Sequence, residues 1–316
     1  MPMLEVCSLT VDYRTRAGNV RAVDHVSLSL EKGQTLGVVG ESGCGKSTLG
    51  FAVIRLVQSP GTISEGSIVI DGTDIMRLSE EEIRRVRGRV GFIFQDPMTS
   101  LNPVKKIGDH FVELIHTHEK NVNKKEALKR AAKILESLEI RSERVGDYPH
   151  QFSGGMRQRV MIGLGLALNP KLLIADEPTT SLDVIVEAQI LELMNQLKRD
   201  YNLTLILITH NIGIIAEMAD TIAVMYAGQI VEMGRTEDIF EDPLHPYTQG
   251  LLKSAPNIMH PERSMITIPG SPPDLISPPS GCKFHPRCPN AFEPCALREP
   301  KLIQRGQRLV ACHLYD

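Results

Sequence analysis

The run GESGCGKST, residues 40–48, constrains this chain more than any other stretch, because it fills every fixed position of G-x-x-x-x-G-K-[ST] from Gly40 through Ser47. It follows the apolar run TLGVV and precedes LGFAVIRLV, so it reads as strand, loop and helix. Glycine lets the backbone curl until successive N–H groups point inward, and the helix that follows starts with its positive dipole end at the same place. A polyphosphate fits such a loop, here lined by Gly40, Ser42, Gly43, Cys44, Gly45 and Thr48. Lys46 would reach its β- and γ-phosphates, and the Ser47 hydroxyl would take a place in the coordination of Mg2+. Cys44, set between two glycines, is expected to make the loop sensitive to thiol reagents.

With 316 residues the chain can bury a large core and build more than one domain. Its 35 basic and 38 acidic side chains nearly balance, which removes any bulk attraction to nucleic acid or anionic lipid. No apolar run of about 18 residues occurs, and no apolar stretch follows the start MPMLEVCSLT, so neither a transmembrane helix nor a secretory signal is expected.

Short apolar runs alternate with helical patterns: TLGVV, RVGFIFQD, KLLIADEP, LTLILITH and TIAVMYAGQIVEMG. Strands spaced by helices imply an α/β fold with a mostly parallel sheet. The last run breaks at Ala227–Gly228 and reads as a hairpin closing the sheet edge, and the loop before Val20 reads as long. Between about residues 97 and 160 the pattern is helical. Asn123 with Glu126 forms an N-terminal cap for a helix carrying Leu128, Ala132, Leu135 and Leu138. After about residue 255 the chain becomes rich in Pro, Ser and Gly, which suggests residues 1–255 as one domain and 256–316 as a linker with a small appended module. No internal repeat is present, so the chain holds a single nucleotide-binding unit.

KLLIADEP ends its strand in Asp176 and Glu177. Asp176 would hold Mg2+, while Glu177 would orient and polarise the water that attacks the γ-phosphorus. His210 ends another strand, where a histidine is more often structural than catalytic. Ser153, Gly154 and Gly155 precede a basic helical run and make a second anion-seeking helix start. At this point the residues resemble the ATP-binding cassette family, whose signature loop LSGGQ meets the γ-phosphate held by an opposed subunit. This chain departs from that pattern at Phe152 and Met156. The resemblance implies a P-loop cassette with an antiparallel β subdomain and a helical insertion, which binds and hydrolyses ATP with Mg2+. It further implies that Gln95 contacts Mg2+ and the attacking water, that Ser181, Leu182 and Asp183 line the dimer seam, and that His210 is the switch histidine. Tyr13 is similar in position to the aromatic residue on which adenine stacks, and it also reads as a surface strand residue.

The runs FQDPMTSLNP, HPYTQGLL and IPGSPPDL resemble the oligopeptide and dipeptide importer ATPases, a branch that also takes in nickel, glutathione and oligosaccharide importers. That resemblance implies a peripheral subunit on the cytoplasmic face of the membrane. Its partners would be two membrane permeases, a homologous or identical ATPase subunit and, indirectly, an extracytoplasmic solute-binding protein, with no nucleic acid. Four cysteines, Cys282, Cys288, Cys295 and Cys312, crowd the C-terminal end. Four thiolates can ligate a zinc ion or a [4Fe-4S] cluster, or they can remain free or pair as disulfides. Prolines 286, 289 and 294 favour wide loops that suit the larger cluster, and the importer resemblance makes iron–sulfur the leading reading.

Overall fold

The computed structural model describes residues 1–96, 100–180, 182–254 and 267–316. In chain order its strands are β1 (Leu4–Thr15), β2 (Gly18–Leu30), β3 (Thr35–Val39), β4 (Gly61–Ile70), β5 (Thr73–Asp74), β6 (Val90–Ile93), β7 (Leu172–Asp176), β8 (Thr204–Thr209), β9 (Thr221–Tyr226), β10 (Gln229–Arg235), β11 (Ile303–Arg305) and β12 (Arg308–Val310). The chain divides into two compact units, one of Met1–Met76 with Leu207–Asp316 and one of Arg77–Ile206. The boundary falls within β8.

The first unit holds two sheets. One is antiparallel, in the order β2-β1-β4-β5. The expected long loop before Val20 is instead a tight reversal: β1 and β2 run as a hairpin as far as Thr15 opposite Gly18. In the other sheet β3 pairs in parallel with β9, and β10, β12 and β11 follow antiparallel. All five residues of β3 are buried, as a strand covered on both faces requires.

The β9–β10 hairpin turns at Ala227–Gly228 as its sequence predicts, but β10 does not close the edge. Glu232 and Met233 pair with Val310 and Leu309 of β12. The separate appended module expected after residue 255 is not what forms, because the tail adds strands to this sheet and belongs to the same unit. β11 and β12 have three residues each, too few for alternation to reveal them. Residues 97–99, 181 and 255–266, which include the start of the expected linker, lie outside the described residues.

Among its described residues the second unit contains the parallel pair β6–β7 and the α-helices Glu80–Arg87, Ile107–His118, Lys124–Ser137, Gly154–Leu166 and Val184–Tyr201. The helix Lys124–Ser137 begins as predicted, with the Asn123 side chain accepting from the Glu126 N–H at 2.9 Å. Its buried face, however, is Ala127, Ala131 and Leu135, continued by Leu138, so two of the four expected positions lie one residue off. Small residues on that face let the helix sit close. Leu128 occupies the flank, where a Cβ on Gly108 would come within 2.7 Å of it. Asn123→Ala is expected to lower the stability of this unit by about 1 kcal/mol without changing nucleotide affinity. Urea unfolding followed by circular dichroism measures it, and an unchanged midpoint would show that the cap contributes nothing.

Candidate functional site

In the first unit, β3 delivers the chain into the loop Gly40–Gly45, and the helix Lys46–Val53 follows. Gly45 caps that helix with φ +104, and a Cβ there would lie 2.0 Å from the Ala22 carbonyl, so both conformation and crowding require glycine. Beside Gly43 a Cβ would meet nothing within 4 Å, which leaves the open side of the loop facing space. Lys46 is not left unshielded. It is 5% exposed, and its Nζ donates to the Gly40 carbonyl at 2.8 Å and the Glu41 carbonyl at 3.0 Å. Glu41 N–H in turn donates to the Tyr247 hydroxyl at 2.9 Å, and Gly228 N–H donates to the Cys44 carbonyl at 2.9 Å.

Cys44 is buried, and burial pushes its thiol up against the opposing charge of Lys46. A buried thiol held protonated is a poor nucleophile, so the expected sensitivity of the loop to thiol reagents is not supported at this residue. Tyr13 is half-buried on β1 and lies against Gly61, where a Cβ would come within 2.6 Å of its ring. His210 is exposed at the end of β8, and Asn211 after it caps the helix Ile212–Met218 by accepting from Gly213 N–H at 2.9 Å.

In the second unit, Asp176 is buried at the end of β7 and Glu177 follows it at φ +47. A non-glycine residue in that region is strained, and such strain is held in place where a side chain must be aimed. Gln95 Nε2 donates to Glu177 Oε2 at 3.2 Å, and Thr180 Oγ1 donates to the same oxygen at 2.8 Å. The structure thus brings together Gln95 and Glu177 and adds Thr180, which sequence reasoning missed although it stands three residues on.

Ser153 caps the helix Gly154–Leu166 by accepting from Met156 N–H at 3.3 Å. The two departures from the signature pattern share one partner. Arg144 lies over the Phe152 ring at 4.3 Å and donates to Met156 Sδ at 3.4 Å. Gly155 faces the helix Val184–Tyr201, where a Cβ would lie 2.5 Å from Val186, so its glycine is required by packing. Asp183 caps that helix, accepting from Ile185 N–H at 3.1 Å and Val186 N–H at 2.9 Å. Ser181 lies outside the described residues.

Cys282, Cys288, Cys295 and Cys312 line one small cavity together with His245 and Phe284. None of the six cysteines is in a disulfide. Burial, helped by the neighbouring thiols, pushes Cys282 up to about 11 and raises Cys288 and Cys312 as well. Burial also lowers His245 to about 3, so it is neutral. The cavity measures about 10 Å3, room for about one water. Among the described residues no group of three or more His, Cys, Asp or Glu side chains is placed to hold a metal ion. As the side chains stand, they fit neither the expected cluster nor a zinc ion, although all four expected sulfurs converge. Lys283, within the same segment, donates to Asp24 Oδ2 at 2.7 Å and to the Ala227 carbonyl at 2.9 Å. Burial alone would raise the Asp24 carboxyl, but the bonds from Lys283 and His25 outweigh it and hold the group below its usual range.

Residues 23–180 match the family described as "ABC transporter", and residues 231–295 match "Oligopeptide/dipeptide transporter, C-terminal region". The chain is 48% identical over 307 residues to the oligopeptide transport ATP-binding protein OppD of Bacillus subtilis, covering 96% of this chain and 86% of that one. It is 45% identical over 319 residues to the dipeptide transport ATP-binding protein DppD of Bacillus subtilis, covering 99% and 95%. Its fold matches the dimeric post-hydrolysis structure of the ATP-binding cassette MJ0796 bound to ADP and Pi, with TM-score 0.66, 27% identity, and coverage of 74% of this chain and 99% of that one. The chain therefore belongs to the ABC transporter family, among the ATP-binding proteins of oligopeptide and dipeptide transport.

Proposed function

We propose that this protein is the ATP-hydrolysing subunit that energises import of peptides through a pair of membrane permeases, with a second ATPase subunit as its dimer partner. The observation that carries the hydrolytic reading is Glu177, strained at φ +47 and held at Oε2 by Gln95 and Thr180. The peptide substrate rests on the likeness to the oligopeptide and dipeptide proteins. Among the described residues no helix is long and apolar enough to cross a membrane. The solute-binding protein belongs to the same reading.

The loop Gly40–Gly45, with its open side at Gly43 and the N-terminus of the helix Lys46–Val53, supports binding of the triphosphate through backbone N–H groups and the Lys46 ammonium. Oxygen donors suited to Mg2+ are assigned to Ser47 in the first unit and to Gln95 and Asp176 in the second. Held by these residues, Mg2+ would supply positive charge to offset that of the phosphates. Glu177 takes the proton of the attacking water while Gln95 and Thr180 keep its carboxylate oriented. His210, Ser153, Gly154, Gly155 and Asp183 are assigned to the γ-phosphate and the dimer seam, and Tyr13 to the adenine ring. Glu177→Gln is expected to keep ATP binding and to cut turnover by about 100-fold or more, because an amide cannot accept that proton. Steady-state phosphate release reads this, and hydrolysis near the wild-type rate would remove Glu177 from the role.

The all-sulfur donor set of Cys282, Cys288, Cys295 and Cys312 would suit a structural [4Fe-4S] cluster only if these side chains, which do not fit one as they stand, rearranged to admit it. The cavity as it stands is too small for it, so loading would have to widen the pocket. Anaerobically purified protein is expected to carry about four irons per chain. Zinc in place of iron, or metal-free protein with reactive thiols at these positions, would overturn the cluster.

A further inference from the structure

Glu41 is the second residue of the phosphate loop, and its carboxylate is turned into the protein. Arg287 meets it with a two-pronged grip, Nη1 donating to Oε2 at 2.7 Å and Nη2 donating to Oε1 at 2.9 Å. The Arg287 side chain is 6% exposed and that of Glu41 24%, so water screens the pair weakly. The rest of the guanidinium is also committed: Nε donates to the Pro269 carbonyl at 2.8 Å, and Nη1 reaches the Tyr226 hydroxyl at 3.3 Å. Such a planar fork fixes direction as well as charge, which a lysine would not.

The same Glu41 is held twice through its backbone. Its N–H donates to the Tyr247 hydroxyl, and its carbonyl accepts from Lys46 Nζ. Tyr226 and Tyr247 pack against Phe284 with ring centroids 5.2 and 5.4 Å away, and Arg287 leaves the turn just beyond Phe284. A side chain from near the end of the chain thus reaches the residue on which the P-loop lysine rests.

We propose that Arg287 is a positioning residue for nucleotide binding, which fixes Glu41 and so the first turn of the phosphate loop, and cancels a carboxylate charge beside the triphosphate. The inference rests on the ATP site proposed above. Two effects follow from removing the arginine. Glu41, whose carbonyl lies under Lys46, loses its side-chain anchor, and an unpaired carboxylate stands near the incoming phosphates, where like charges repel. Both weaken binding of ATP, and neither touches the group that activates water.

The test is Mg-ATP affinity of the full-length chain by calorimetry, together with KM and kcat, for Arg287→Gln, Arg287→Lys, Glu41→Gln and the Arg287→Gln/Glu41→Gln double variant. Arg287→Gln is expected to weaken binding and raise KM about tenfold with kcat within about twofold. Arg287→Lys should recover part of that loss, since it restores the charge but not the fork. The double variant should bind no worse than Arg287→Gln, because the two side chains act as one unit. Affinity of Arg287→Gln within twofold of wild type, additive losses in the double variant, or a fall in kcat with KM unchanged would each overturn the proposal. Should Arg287→Gln fail to fold, Arg287→Lys carries the test, since it keeps the charge but loses the fork, and an affinity and KM unchanged from wild type there overturn it equally. A wild-type chain that binds no Mg-ATP would overturn the nucleotide site itself, whereas wild-type binding with an indifferent Arg287→Gln overturns only this inference.

Discussion

A lysine that is only 5% exposed dictates how the phosphate loop must be built. Withdrawing such a charge from water is costly unless hydrogen-bond acceptors replace the lost hydration. Lys46 finds them in the carbonyls of Gly40 and Glu41, that is, in the backbone of its own loop. The acceptors are backbone groups, so the loop has to curl tightly, and Gly45 at φ +104 is what permits the curl. A loop that spends its backbone on a ligand and on its own lysine has few groups left to hold itself in place. Its hold comes from outside, through the Tyr247 hydroxyl on Glu41 N–H and the Gly228 N–H on the Cys44 carbonyl.

The legible part of this fold was the part governed by local rules. Each apolar run named from the sequence contains a strand, the last contains two, and β3, β7 and β8 are buried at every position, as strands covered on both faces require. The Asn123 cap and the Ala227–Gly228 reversal were legible for the same reason, since a cap or a turn is settled by residues a few positions apart. The rotation of the helix Lys124–Ser137 was not, because both candidate faces contain alanine and leucine, so local pattern does not separate them. β11 and β12 were invisible for want of length. Gln95 and Glu177 were both expected at the attacking water, Gln95 from family likeness alone, and their direct contact across 82 residues was not legible from spacing.

The signature segment illustrates a residue type carrying more than one demand. Gly155 looked like a phosphate-binding glycine, yet Val186 leaves no space for any side chain there. Ser153 and Asp183 looked like contacts for a nucleotide, and each also caps a helix. A capping oxygen satisfies N–H groups that would otherwise be bare, so the same residue can order a helix start and leave neighbouring donors aimed at an anion. The departures at Phe152 and Met156 cannot be understood singly, since Arg144 contacts both. An aromatic face and a soft sulfur suit a guanidinium, and the signature pattern would supply neither at these positions.

The C-terminal tail raises the question of how a stretch short of large apolar side chains acquires a fixed place. It contributes one buried aromatic, Phe284, to the Tyr226 and Tyr247 cluster, and two short strands to the sheet. Among its further ties are two buried cations, Lys283 on Asp24 and Arg287 on Glu41. Buried ion pairs contribute little net stability, because desolvation offsets most of their attraction. They do penalise misplacement strongly, since either partner left alone would be an unpaired charge in a poorly solvated site. Apolar contact alone would tolerate several registers of a proline-rich segment, whereas two cations four residues apart, each with a single matching carboxylate, accept one. Specificity of placement, more than depth of burial, is therefore what these pairs supply, and it is supplied at the two points where the tail meets β2 and the phosphate loop.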